Sequence, residues 1–221
     1  MQIQWYPGHM AKARRMLEEN LKLIDVVVEL VDARAPLATR NPDFDALFSQ
    51  KSRVILLNKS DLASAEQTKK WIEYYKAQNI NAIAFVSTSS AKRKAAISLI
   101  EAAAADKVAK MKEKGVIKTV RAMVVGIPNV GKSTFINRIA GETKAKVGDK
   151  PGVTKGKQWV KISPYLELMD TPGLLWPKLE NEALAKHLAY IGSINDDIMD
   201  AERLAADLLG ELIAICPNEL K

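Results

Sequence analysis

The stretch Gly126-Ile-Pro-Asn-Val-Gly-Lys132-Ser133 sets two glycines ahead of a lysine and a hydroxyl, a spacing that suits a chain of phosphates. Glycine lets backbone N–H groups approach phosphate oxygens closely. Lys132 brings a point charge to the β and γ phosphates, where it would also act in catalysis, and Ser133 offers a hydroxyl to Mg²⁺. Asn129, Val130, Gly131 and Thr134 complete the expected cradle. The bland alternative is a plain glycine turn with a surface lysine. The surroundings weigh against it: Val120-Arg-Ala-Met-Val-Val125 reads as a short buried strand and Ser133-Thr-Phe-Ile-Asn-Arg-Ile-Ala140 as a helix ended by Gly141. A helix that starts there presents N–H groups with no internal partner and a dipole that favours anions.

A second motif stands earlier in the chain. Asn58-Lys59-Ser60-Asp61 follows the apolar run Arg53-Val-Ile-Leu-Leu57. A carboxylate accepts two hydrogen bonds, which suits the N1–H and N2–H₂ donors of guanine and not the edge of adenine. Asp61 is therefore expected to select guanine, with Asn58 and Lys59 in the same box. Ser87-Thr88-Ser89, after the strand-like Ile80-Asn-Ala-Ile-Ala-Phe-Val86, falls where a further base contact belongs, although Ser/Thr clusters also mark ordinary turns. After Tyr165-Leu-Glu-Leu-Met169 comes Asp170-Thr-Pro-Gly173, which puts a carboxylate on the Mg²⁺ shell and the Gly173 N–H near the γ-phosphate. Between these lies the loop Gly148 to Thr154, whose Thr154 is the expected switch ligand for Mg²⁺ and γ-phosphate. In an ordinary GTPase the phosphate loop precedes the guanine box. Here the order is reversed, so the domain is expected to be a circular permutation.

These motifs, in this order, together with Trp5-Tyr-Pro-Gly-His-Met10 and Asp32-Ala-Arg-Ala-Pro36, closely resemble the RbgA/YlqF family of circularly permuted GTPases. The resemblance runs from about residue 3 to about 180 and more loosely beyond. It implies an α/β fold: a circularly permuted P-loop GTPase domain over 1–177, with a mixed, mostly parallel sheet and helices on both faces. It also implies a partial C-terminal helical segment over 178–221, since family members continue for several further helices. GTP or GDP with Mg²⁺ are the implied cofactors, and the large (50S) ribosomal subunit or its precursor, through ribosomal RNA, is the implied partner.

Composition is compatible. A chain of 221 residues, 48% hydrophobic, supports one sizeable core. There is no run of eighteen apolar residues, no signal-peptide pattern, and Cys216 is the only cysteine, so a cytoplasmic location is expected. Charge is uneven: residues 170–221 hold four Lys/Arg against ten Asp/Glu, leaving 29 basic against 16 acidic in residues 1–169. One basic stretch runs from Lys92-Arg93-Lys94 through Lys107, Lys110, Lys112 and Lys114 to Lys118. The other runs from Lys144 to Lys161 around the Thr154 loop. Basic runs are often merely solvated faces, but with a ribosomal partner phosphate contact becomes the better reading.

The elements that must position these groups are read as follows: a helix from Met10 to Ile24, a strand from Asp25 to Val31, and a helix from Ala63 to Ala77 with Trp71 and Tyr74 or Tyr75 inward. A single long helix is expected from Ala91 to Lys114, ended by Gly115, and two helices after Pro177, from Glu182 to Ile191 and Asp197 to Ile215.

The catalytic question turns on Leu174, which follows Gly173 where many GTPases place a water-orienting glutamine, because leucine cannot hydrogen-bond water. The resemblance offers His9, in the Tyr6-Pro-Gly-His9 turn, as the substitute; a loop histidine that packs or contacts RNA is the alternative. His187 reads as a helix-surface residue. Asn129 resembles the asparagine that helps hold K⁺ beside the phosphates in potassium-stimulated GTPases. Two functions remain open at this point: a GTP hydrolase cycling on a pre-ribosomal particle, or a nucleotide-gated RNA-binding scaffold with incidental slow hydrolysis.

Overall fold

The computed structural model describes residues 7–141, 158–176, 181–194 and 200–218. Within them lies one sheet of six strands: β1 (Val26–Asp32), β2 (Ser52–Asn58), β3 (Asn81–Ala84), β4 (Val120–Val125), β5 (Gln158–Ser163) and β6 (Leu166–Asp170). Their order is β3-β2-β1-β4-β6-β5. All neighbours pair parallel except β5, which runs antiparallel to β6 at the edge. This is the mixed, mostly parallel sheet expected.

The centre of the sheet is covered on both faces, and its strands are correspondingly apolar throughout. Every residue of β1 is buried. Alternation then sorts side chains between two cores. On β2, Val54 and Leu56 join the larger core, while Ile55 and Leu57 join a smaller one with Tyr75 of α4 (Ala65–Ala77). The larger core takes Leu17 of α1 (Pro7–Asn20), Ala96 and Ile100 of α5 (Arg93–Ala103), Phe135 of α7 (Lys132–Ala140) and Leu188 of α8 (Glu182–Tyr190). Burying the leucine, isoleucine and phenylalanine side chains among these contributes about 1.5–3 kcal/mol each. Of the two tyrosines in α4, Tyr75 is the buried one and Tyr74 is half exposed.

Register brings the motifs to one edge. Asp32 pairs with Asn58 across β1 and β2, and Val124 with Asp170 across β4 and β6, so the carboxyl ends of these strands gather Asp32, Asn58, Gly126 and Asp170. Ligands in open α/β sheets bind at this edge.

Several elements differ from expectation. The single helix from Ala91 to Lys114 is two, α5 and α6 (Ala105–Glu113), separated at Ala104, whose N–H closes onto Ala102 and Glu101 carbonyls. Alanine favours helix throughout, but Ala104 is buried and the turn lets Lys107 reach the buried carboxylate of Asp25. Tertiary contacts override propensity here. The first helix starts at Pro7, not Met10, so His9 stands on the first turn of α1 rather than in a free turn. Proline there is preorganised for the first helical position. The His9 side chain and Thr154 lie outside the described residues, as do Lys144 to Lys157. Short helices α2 (Pro36–Thr39) and α3 (Asp43–Leu47), and strand β5, were not anticipated.

The last helix, α9 (Ala201–Ile215), is capped by Asp200 and buries no residue. Lys186 to Asp207 at 2.8 Å and His187 to Glu211 at 2.9 Å tie it to α8, so His187 is a half-exposed joint between two helices. No helix among the described residues is long and apolar enough to cross a membrane.

Candidate functional site

Asn58 ends β2, buried, and its amide joins three loops. Its Nδ2 donates to the Val130 carbonyl at 2.8 Å, while its Oδ1 accepts from the Ser87 N–H at 3.0 Å and the Ser87 hydroxyl at 2.9 Å. One side chain thus fixes the guanine box against the phosphate loop and against Ser87-Thr88. Close approach requires Gly131, which sits at φ +97; a Cβ there would lie 2.5 Å from the Asn58 Nδ2.

Lys59 adopts a left-handed backbone and extends its Nζ to the Asn129 carbonyl at 2.9 Å. The same Nζ pairs with Asp32 at 3.0 Å. Asp32 ends β1 and is fully buried, and Arg34 grips it with two bonds, Nε to Oδ1 at 2.9 Å and Nη2 to Oδ2 at 2.7 Å. Burial opposes charge on Asp32, but the hydrogen bonds from Arg34 and the Lys59 ammonium outweigh it and hold the carboxyl below the usual range. Asp61 is exposed in the short turn of helix Ser60–Leu62, open to a ligand at this edge. Thr88 is also exposed; its carbonyl accepts from Arg138 Nη2 at 2.6 Å and the Ser87 carbonyl from Arg138 Nε at 3.0 Å. α7 therefore braces the base side of the site as well as the phosphate side.

Within the phosphate loop, Lys132 is buried and donates to the Gly126 carbonyl at 3.1 Å and the Ile127 carbonyl at 2.7 Å. Burial pushes its ammonium down to about 8, against the pull of Asp170. Ser133 Oγ donates to Asp170 Oδ2 at 2.9 Å, which places two hard oxygens side by side, a pair that could hold a small divalent cation. Thr134 follows them on α7, one residue beyond the hydroxyl. The loop of Asp170 to Gly173 then closes over the phosphate loop: a Cβ on Gly173 would lie 2.6 Å from Pro128 N. Leu174 is buried, its N–H donating to the Gly126 carbonyl at 3.2 Å and its carbonyl accepting from Asn41 at 2.9 Å.

Asn129 has φ 61, and its amide nitrogen donates to the Gly192 carbonyl at 2.8 Å. Arg34 Nη2 reaches the neighbouring Ile191 carbonyl at 3.4 Å. The end of α8 thus touches the site directly. Reasoning from sequence gave Asp32, Arg34, Asn41, Arg138 and Gly192 no role. The Asp32-Ala-Arg-Ala-Pro36 motif was a signal for the first two, because an acidic residue at the carboxyl end of a central strand needs a cation. Nothing local signals Gly192 or Arg138.

This arrangement, a phosphate loop and guanine box on opposite halves of the chain but one edge of the sheet, defines a circularly permuted P-loop GTPase. Comparison with known proteins narrows it. Residues 121–209 match a family described as 50S ribosome-binding GTPase. Over its whole length the chain is 49% identical to Ribosome biogenesis GTPase A of Priestia megaterium, covering 77% of that protein. The structure is similar to GNP-bound YlqF of Thermotoga maritima (TM-score 0.66, 32% identity, 92% of this chain and 75% of the other). It is also similar to a GDP-bound YlqF (TM-score 0.64, 32% identity, 90% of this chain and 77% of the other). The chain belongs to the ribosome biogenesis GTPase A (RbgA/YlqF) family, GTPases of 50S subunit assembly.

Proposed function

We propose that this chain binds GTP and GDP, associates with the large ribosomal subunit or its precursor in the GTP form, and leaves after hydrolysis. The observation that carries the reading is the Asn58 amide, which bonds at once to the phosphate loop and to Ser87 and so joins base and phosphate recognition in one site. Asp61 reads guanine with Ser87-Thr88 behind it. The N–H groups of 129–134 cradle the phosphates, and Lys132 exchanges its two carbonyl partners for phosphate oxygens. Ser133, Asp170 and Thr154 would hold Mg²⁺, which when bound offsets charge on the β and γ phosphate oxygens. The adjacent Ser133 and Asp170 oxygens fit that ion. Asn129 Oδ1 would help hold K⁺. His9 would orient the attacking water, a role that buried Leu174 cannot fill.

The test has two arms. Calorimetric titration should show GDP binding and ADP failing to bind, with Asp61→Asn shifting preference to xanthine nucleotides, whose C2 carbonyl accepts the new amide donor. Co-sedimentation with large subunits should be strong with a non-hydrolysable GTP analogue and weak with GDP. Buried Leu174 also favours a second reading, a nucleotide-gated RNA scaffold with incidental turnover. GTPase rates that do not rise on large subunits, with equal sedimentation in both states, would leave that reading standing.

A further inference from the structure

At the edge of the sheet opposite the nucleotide site, a groove of about 680 Å³ opens between α6 and the start of β4. Its walls are Val108, Val116, Ile117, Val120 and Tyr165, with Lys112 and Lys118 at the rim. Three of these apolar side chains face solvent: Ile117 at 83%, Tyr165 at 57% and Val116 at 46% exposure. Large hydrophobic residues exposed together mark an interaction surface. The rim tells which kind. Lys107 and Lys118 are engaged by buried Asp25, but Lys110, Lys112 and Lys114 stand exposed along α6 and the turn after it. Burial and, after it, the Lys107 ammonium hold the Lys51 ammonium below the usual lysine range. Counted with Lys51 and the engaged Lys107 and Lys118, six lysines stand in this region against four acidic residues, Asp25, Glu101, Asp106 and Glu113.

We infer that this groove is a docking site for single-stranded RNA: an unpaired base lies on the apolar floor against the Tyr165 ring, and the phosphates on either side meet Lys112 and Lys114. The inference rests on the ribosomal reading for the source of the RNA. A duplex offers its backbone but no base face, so it satisfies the lysines and leaves the apolar floor uncovered. An unpaired strand satisfies both, since every base has a face that stacks on an aromatic ring and a phosphate that releases counterions on meeting lysine. The nucleotide site lies at the other end of the same strands, so the two sites do not compete for space.

The probe is a fluorescein-labelled, unstructured RNA oligonucleotide, titrated with the full chain by anisotropy at several salt concentrations, beside a duplex of the same length. Tyr165→Ala should weaken single-stranded binding about tenfold, within the range for one base stacked on an aromatic ring, and leave duplex binding nearly unchanged. The pair Lys112→Glu with Lys114→Glu should weaken both and lower the salt slope by about one unit or more. Basal GTPase rate and melting temperature should stay at wild-type values in each. Should Tyr165→Ala melt early, Tyr165→Leu keeps the apolar contact without the aromatic face and should give the same selective loss. Wild-type affinity of all variants for the single strand overturns the inference. So does a photo-crosslink from position 165 to a ribosomal protein rather than to RNA on large subunits. If the variants sediment with large subunits as the wild type does, the groove assignment fails and the ribosomal reading survives. If the wild type itself does not sediment in any nucleotide state, the ribosomal reading fails and the oligonucleotide titration alone decides the groove.

Discussion

Asp32 and Glu29 lie three residues apart on one buried strand, yet their carboxyls are pushed in opposite directions. Asp32 accepts two well-formed hydrogen bonds from Arg34 and pairs with Lys59, and it is held below the usual carboxylate range. Glu29 has Arg53 at 3.1 Å and Arg40 at 3.7 Å, but neither of its oxygens has a hydrogen-bond partner, and burial raises it to about 7. Proximity of opposite charge does not keep a buried carboxylate ionised; directed hydrogen bonds do. The strand carries a functional brace at its carboxyl end and a costly internal pair at its middle.

The sharpest way to break this contrast is Asp32→Ala. It leaves Arg34 and Lys59 without their shared partner and frees Lys59 from its place over the phosphate loop. We expect a stability loss of about 3 kcal/mol or more and at least a tenfold rise in GDP Kd. Chemical denaturation and calorimetry measure the two. Intact GDP affinity in a folded Asp32→Ala would make Asp32 a purely structural residue.

Glu29 comes next. Its folded pKa lies above its unfolded value, so its contribution to stability is fully present below about 4.5 and is lost as pH rises through about 7. The loss amounts to about 3 kcal/mol at most. Glu29→Gln should flatten stability between pH 5 and pH 8 relative to wild type in urea melts; an unchanged pH profile would mean that Arg53 keeps Glu29 ionised. Asp25, just before the same strand, is the intermediate case. It is buried with Lys107, Lys118 and the Arg121 N–H, and these outweigh its burial. Asp25→Ala should cost about 2 kcal/mol and leave nucleotide affinity untouched. The smallest effect belongs to Lys186→Ala, which removes a partly exposed tie between α8 and α9 and should leave the urea midpoint nearly unchanged.

What could be read from the chain followed the range of the forces involved. Val120 to Val125 and the helix from Ser133 to Ala140 rest on local periodicity and a terminal glycine, and the structure shifts only the helix start, by one residue. Asn58, Lys132, Ser133 and Asp170 could be picked out as one set because phosphate and guanine dictate residue types at fixed spacings, and the structure brings these side chains to one edge. The break at Ala104 was not legible, because Lys107 and its partner Asp25 are far apart in sequence. Strand β5 could have been found: Gln158-Trp-Val-Lys-Ile-Ser163 alternates in part, but it stands on an edge where only one face is buried. The contact of Asn129 with Gly192 joins residues that no local rule connects.

The seam between the two halves of the permuted chain runs between β1 and β4, paired over four residues from Val26 to Glu29, whereas β1 and β2 pair over seven. The Asn58-to-Asp61 motif lies on one side of that seam and the loop from Gly126 to Ser133 on the other. A nucleotide held by both would therefore act as a rivet across a short join. Nucleotide occupancy would tighten the join between the halves more than it tightens either half. Amide exchange in β4 should slow with bound nucleotide more than exchange in β3, which lies wholly within the first half.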